Sequence, residues 1–199
     1  MRRLILGGLL LVLACGCGSP APVVGPEPSA APTPGPSTEP AGTPSSAAAP
    51  TQAAAPARCL TSMLAVTLGD SEGAAGTFYL TLRFTNTSGR TCTLHGFPGV
   101  SYVTGEQGTQ VGAAAERDGA AGPPVTLAPG APASVQLGQV NVRNYDASVC
   151  RPTPTRGLRV YPPDDTAALF VPVAGTGCAG APPGPQLRVT AVRAGRGPA

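Results

Sequence analysis

Phe78-Tyr79-Leu80-Thr81-Leu82-Arg83-Phe84-Thr85 alternates without a break, with Phe78, Leu80, Leu82 and Phe84 on one side and Tyr79, Thr81, Arg83 and Thr85 on the other. A period of two is that of a half-buried strand, because successive side chains point to opposite faces of a sheet. The same period continues outward in both directions. Leu64, Val66 and Leu68 precede it; Val135 and Leu137, Leu158 and Val160, Leu169 to Val173, and Leu187 and Val189 follow. After Gly138 the apolar phase shifts to Val140 and Val142, which predicts a bulge. Gly99–Val103, Gln110–Ala114 and Pro124–Leu127 read as shorter edge strands. Asn86-Thr87-Ser88-Gly89, Pro98-Gly99 and Ala128-Pro129-Gly130 mark turns between them. Ala113–Arg117 holds helix formers, but Gly119, Gly122, Pro123 and Pro124 follow at once, so no helix of ordinary length is expected. The pattern predicts an all-β chain, an immunoglobulin-like antiparallel β-sandwich of about 7–9 strands. The buried Trp of antibody domains is missing, since the chain has none.

The chain before this head has a different composition. Met1-Arg2-Arg3 is basic, Leu4 to Ala14 gives eleven uncharged residues, and Ala14-Cys15-Gly16-Cys17-Gly18 closes the run with small side chains. That layout is a secretory leader, too short for a spanning helix, which needs about 20 apolar residues. Val12-Leu13-Ala14-Cys15 and Ala14-Cys15-Gly16-Cys17 both resemble the lipobox of bacterial lipoproteins, in which the Cys thiol receives a diacylglycerol. The larger aliphatic residue three places earlier favours Cys15, with Cys17 as the alternative. Between Ser19 and Ala57, 31 of 39 residues are Pro, Ala, Ser or Thr, and the only charges are Glu27 and Glu39. Such a segment has too little apolar bulk to offset the entropy of ordering. Fully extended as polyproline II it would reach roughly 120 Å at about 3.1 Å per residue. The expected organisation is a leader and lipobox over residues 1–17, a disordered tether over 18–57, and a β-sandwich over 58–199.

All 13 basic residues are Arg, and the bias toward Arg, Ala, Gly and Pro is that of a GC-rich genome, pointing to an actinobacterial source. Without Arg2 and Arg3, 11 Arg face 10 acids, and they are scattered singly. That is no footprint for nucleic acid, which demands a concentrated basic surface. Beyond the lipobox the cysteines are Cys59, Cys92, Cys150 and Cys178, an even number in an exported chain and hence two disulfides. Three pairings are open, of which the sequential set, Cys59–Cys92 and Cys150–Cys178, is the favoured one.

Candidate chemistry is sparse. Cys92-Thr93-Leu94-His95 has a Cys and a His at a strand end, as in a blue-copper loop. That site needs a second His and a Met; His95 stands alone and Met63 is the one Met after the leader. A Ser–His–acid triad would also depend on His95, and no Gly-x-Ser-x-Gly elbow exists. Asp70, Glu72, Glu106, Glu116, Asp118, Asp146, Asp164 and Asp165 offer carboxylates for acid–base work on a sugar, but most fall in turns, where they cap backbone. Asp164-Asp165 is at most a weak calcium corner. No metal ligand set and no cofactor follow. Surface recognition remains: Tyr79 and Arg83 project from one face of the central strand, and Tyr102, Tyr145 and Tyr161 are candidates to join them.

Several phrases resemble a family of actinobacterial exported proteins that carry the domain of unknown function numbered 4232. They are Leu82-Arg83-Phe84-Thr85-Asn86-Thr87-Ser88, Thr91-Cys92-Thr93-Leu94-His95-Gly96-Phe97-Pro98-Gly99-Val100, Val125-Thr126-Leu127-Ala128-Pro129-Gly130, Arg58-Cys59 and Leu158-Arg159-Val160-Tyr161-Pro162-Pro163. The likeness runs from about Arg58 to Val192 and implies an immunoglobulin-like sandwich with paired cysteines behind a lipobox and tether. It implies no catalytic residues. The expected function is that of a non-enzymatic protein, lipid-anchored to the outer face of the cell membrane, whose head binds an envelope protein or polymer. The alternative is an extracytoplasmic sensor of a carbohydrate or small ligand, with a concave aromatic-lined site.

Overall fold

A computed structural model describes residues 56–198. The leader, Cys15, Cys17 and almost all of the tether lie outside the described residues. Twelve strands form the head: β1 (Leu64–Ala74), β2 (Thr77–Asn86), β3 (Cys92–Leu94), β4 (Gly99–Thr104), β5 (Thr109–Val111), β6 (Glu116–Asp118), β7 (Val125–Leu127), β8 (Pro132–Val140), β9 (Pro152–Tyr161), β10 (Leu169–Cys178), β11 (Leu187–Thr190) and β12 (Arg193–Ala194). A four-residue helix, α1 (Ala147–Cys150), precedes β9. One sheet runs β1-β2-β8-β11-β6, with β12 also paired to β8; a second runs β10-β9-β4-β5; β3 and β7 form a separate ladder.

The alternation of β2 decides the packing. Leu80, Leu82 and Phe84 are buried together with Val135 and Leu137 of β8 and Leu187 and Val189 of β11. Val100, Tyr102, Leu158, Val160 and Val171 of the second sheet meet them in one core, which Leu94, Val125 and Leu127 of the small ladder extend. Each fully buried Leu or Phe contributes about 1.5–3 kcal/mol of transfer free energy. The Tyr102 hydroxyl crosses the sandwich to donate to Gln139 Oε1 at 2.8 Å, and burial pushes its pKa up to about 12.

Local chemistry fixes the connections. Ala75 and Gly76 both have positive φ (48° and 78°), which makes the tight two-residue hairpin between β1 and β2 that matches strand twist. Asn86, completely buried, divides its amide between the next turn and β7. Its Nδ2 donates to Leu127 O (2.9 Å) and Arg90 O (2.7 Å), and its Oδ1 accepts from Ser88 N and Oγ. A buried amide left unpaired would cost about 1–3 kcal/mol, so this residue specifies the turn. Cys59–Cys92 and Cys150–Cys178 are the two disulfides, the sequential pairing, and they mark a fold suited to an oxidising, extracytoplasmic compartment.

Three features depart from the sequence reading. The strand count is twelve because β3, β5, β6, β7 and β12 are ladders of two or three residues; seven strands have four or more. The expected bulge in β8 is absent: its register against β2 is continuous from Pro132 to Val140, and Val142 sits in a 3-10 turn beyond the strand end. Bulges occur instead in β1 between Leu68 and Ser71 and in β10 between Pro172 and Gly175. Finally, Glu116–Asp118 joins the first sheet as a parallel partner of β11, so the named strands pair antiparallel apart from those two, and an isolated parallel bridge joins Arg58 to Thr93.

Candidate functional site

The outer face of the first sheet carries the side chains that the sequence singled out. Along β2 this row is Tyr79, Thr81 and Arg83, opposite Gly138, Gln136 and Ser134 of β8. A Cβ at Gly138 would stand in ordinary contact with the tyrosine ring, 3.4 Å from Tyr79 Cε1, and 3.8 Å from Arg188 O. The ring therefore lies against the sheet where β8 has no side chain. Next to Gly138 on β11 is Arg188, whose neighbour on β6 is Glu116. One step along, Thr190 Oγ1 accepts from Gln136 N (2.9 Å) and pairs in register with Asp118. Tyr79, Gln136, Arg188, Thr190 and Asp118 thus surround a hollow of about 160 Å³. Arg188 and Asp118 take no part in the two ion pairs found among the described residues, Arg83–Asp70 and Arg156–Glu106. Both side chains are exposed, available for a ligand of either sign. Arg188 also reaches Tyr145: burial pushes that phenol up, and the Arg188 charge pulls it back.

Arg83 shares the face but is already occupied. Its Nη2 binds Asp70 Oδ2 at 2.6 Å, its Nε donates to Arg196 O at 2.8 Å, and its guanidinium lies over Gly69. The side chain is only 24% exposed. It latches the segment after β12 across the sheet, where Gly197 packs on Thr81 and Ser134 so closely that a Cβ would come within 2.9 Å of Thr81 Cγ2. Thr81 and Ser134 are buried there, although their strands point them outward. One half of the outer face is covered by the chain itself, and the half around Tyr79 and Arg188 is open. Of the other tyrosines, Tyr102 is inside the sandwich and Tyr161 stands beside Gly99 on the second sheet, while Tyr145, whose hydroxyl donates to Pro185 O, is near enough to Arg188 to feel its charge. Arg188 was missed in sequence because nothing local distinguishes it from ten other scattered arginines of the head; only the β8–β11 register brings it beside Gly138.

The remaining candidates have structural uses. Cys92 is bonded to Cys59 and offers no thiolate, and His95 is exposed beyond the end of β3. Among the described residues no group of three His, Cys, Asp or Glu side chains is placed to hold a metal. Asp146 caps α1 by accepting from Ser148 and Val149 N–H groups, and its pKa is lowered mainly by the Ser148 hydroxyl. Asp165 is no calcium corner in this arrangement. It accepts from Thr61 N (2.7 Å), Thr61 Oγ1 (2.8 Å), Thr166 N (2.7 Å) and Ala167 N (3.1 Å), tying the start of the head to the β9–β10 loop.

Those donors, the Thr61 N–H first, lower the Asp165 pKa from 3.8 to about 2. A depressed folded-state pKa contributes stability above the unfolded value that is lost as pH falls through the folded one. The urea midpoint of the wild type is therefore expected to drop between pH 4 and pH 2. Asp165→Asn should start lower at neutral pH and show a flatter profile over that interval. Parallel profiles would show that the staple carries no linkage.

A family model described as a domain of unknown function (DUF4232) matches residues 59–193. No curated protein and no solved structure shows a significant match to the chain.

Proposed function

The chain belongs to the DUF4232 family, and from that premise we propose that it is a non-catalytic, lipid-anchored envelope protein whose sandwich binds an extracytoplasmic protein or polymer through the Tyr79–Arg188 face. The observation that carries this reading is the open half of the outer sheet face. An aromatic ring lies against the backbone of a central strand, with an exposed cation and an exposed carboxylate beside it. Tyr and Arg are the side chains that most often anchor interfaces, because they combine large contact area with directional donors. Four of the head's eight carboxylates already have structural partners, in keeping with a non-catalytic reading: Asp70 pairs with Arg83, Glu106 with Arg156 and Asp165 with Thr61, and Asp146 caps α1. The two disulfides agree with an address outside the cytoplasm. Cys15, or Cys17, supplies the anchor in this reading.

The test uses the full chain carrying Cys15→Ser and Cys17→Ser, which this reading expects to be released from membranes. The released protein should rebind saturably to envelope fragments of the same cells. Tyr79→Ala and Arg188→Glu should each weaken that rebinding by about tenfold or more, the range of an interface anchor. Retention of the double Ser variant in the membrane refutes the lipid anchor. Equal rebinding by all variants refutes the face.

A further inference from the structure

At one end of the sandwich the two sheets part around a ring that faces inward yet is not covered. Phe78 stands opposite Gln139, on the core side of β2 with Leu80, Leu82 and Phe84, but is 53% exposed. Across from it β10 bulges between Pro172 and Gly175, and Ala174 in that bulge is exposed and lines the space beside Phe78. The result is a cleft of about 510 Å³ between Phe78 on one wall and Ala174, Gly175 and Thr176 on the other. That volume falls in the range of about 300–1,000 Å³ found for small-molecule sites.

The cleft has polar groups at defined heights. At its base, the Tyr102 hydroxyl is held by Gln139 Oε1. At its mouth, the 3-10 turn after β8 brings Arg143, an exposed side chain whose guanidinium makes no hydrogen bond or ion pair among the described residues. That turn is itself fixed, since Asn141 Oδ1 accepts from Arg143 N and Asn144 Nδ2 donates to Gly76 O. A second observation comes from β9. Thr155 is 5% exposed, and its Oγ1 is the one buried side-chain oxygen without a hydrogen-bond partner among the described residues. It lies beside Gly175 of the cleft wall, 3.3 Å from where a Cβ would be. Buried polar groups are ordinarily satisfied, but Thr155 is not among the residues that line the cleft, so its hydroxyl stands behind the Gly175 wall and does not face the open space.

We propose that this inter-sheet cleft is a binding site for a small aromatic or alicyclic anion, its ring against Phe78 and its acidic group at Arg143. The site lies between the sheets, whereas the Tyr79–Arg188 hollow lies on the outer face; Val140 is the one residue that lines both. The exposed Phe78 ring gains an apolar contact, and the guanidinium gains a charge-assisted bond.

The probe is 8-anilinonaphthalene-1-sulfonate, an aromatic sulfonate, titrated into the full-length chain under native conditions and followed by its fluorescence. One saturable site is expected. Ala174→Trp, at an exposed position, should fill the cleft and abolish binding while leaving the thermal midpoint in place. Arg143→Gln should weaken binding about tenfold, as for loss of a hydrogen bond to a charged group. Tyr79→Ala should leave it unchanged, which separates this site from the outer face. No saturable binding, binding that survives Ala174→Trp, or binding indifferent to Arg143→Gln overturns the proposal.

Discussion

Phe84→Ala is expected to destabilise the head by about 3–5 kcal/mol, the range for removing a fully buried aromatic side chain. Phe84 is 0% exposed and pairs across its two neighbours with Val66 of β1 and Ala133 of β8. The head has few alternatives with which to fill the gap. The chain has four Phe and no Trp, and the buried core is otherwise built mostly from Leu and Val, with Tyr102, Ala133 and the Cys59–Cys92 pair. A small side chain at Ala133 cannot collapse into the space, so the cost combines lost transfer free energy with an open cavity. Equilibrium urea unfolding under oxidising conditions measures it. A loss below about 1 kcal/mol would mean that the core collapses around Ala far more readily than such sites usually do.

The second large effect is expected at the disulfides. Cys59–Cys92 closes a sequence separation of 33 residues and Cys150–Cys178 one of 28. In the chain-entropy model, removing either link as a Cys-to-Ala pair releases the unfolded chain by about 3–4 kcal/mol. The two links act on different parts of the fold. The first fixes the segment before β1 to β3, where Cys59 N donates to Thr93 O and Thr93 N to Ala57 O. The second fixes α1 to the end of β10, beside Gly112 and Gly180, which have no room for a side chain against Cys178 O and Val149 O. The loops do not overlap, so the double loss should be close to additive. Together they would exceed or equal much of the stability of an ordinary domain, about 5–15 kcal/mol. Chemical reduction should then unfold the head at ambient temperature. A reduced chain that keeps its native unfolding midpoint would refute this assignment of stability.

The strand alternation of β1, β2, β8, β9, β10 and β11 was legible because burial on one face imposes a period of two on the residues themselves; β4, expected as an edge, is instead buried at four successive residues and lies between β9 and β5. The Cys pairing was open among three possibilities in the sequence, and the structure has the favoured sequential one. What the sequence did not disclose depends on partners far away in the chain. Glu116–Asp118 contains good helix formers and becomes a strand only because β11 offers it an unpaired edge. The apolar shift after Gly138 looks like a bulge, yet it is the end of the strand, since Val142 belongs to the turn that seats Arg143. The site divides in the same way. Tyr79 follows from alternation alone. That Arg83 is engaged by Asp70 and Arg196, and that Arg188 takes its place beside the ring, follows from the sheet order β2-β8-β11 and from where the chain crosses the sheet after β12.

Photo-crosslinking on intact cells tests the central claim most directly, with the reactive side chain placed at Tyr79 and, as a control, at Phe170, which is exposed on β10 of the second sheet. The account predicts one dominant adduct from position 79, lost when Arg188→Glu is added, and none in common from position 170. No adduct at 79, or the same adducts from both positions, would contradict it.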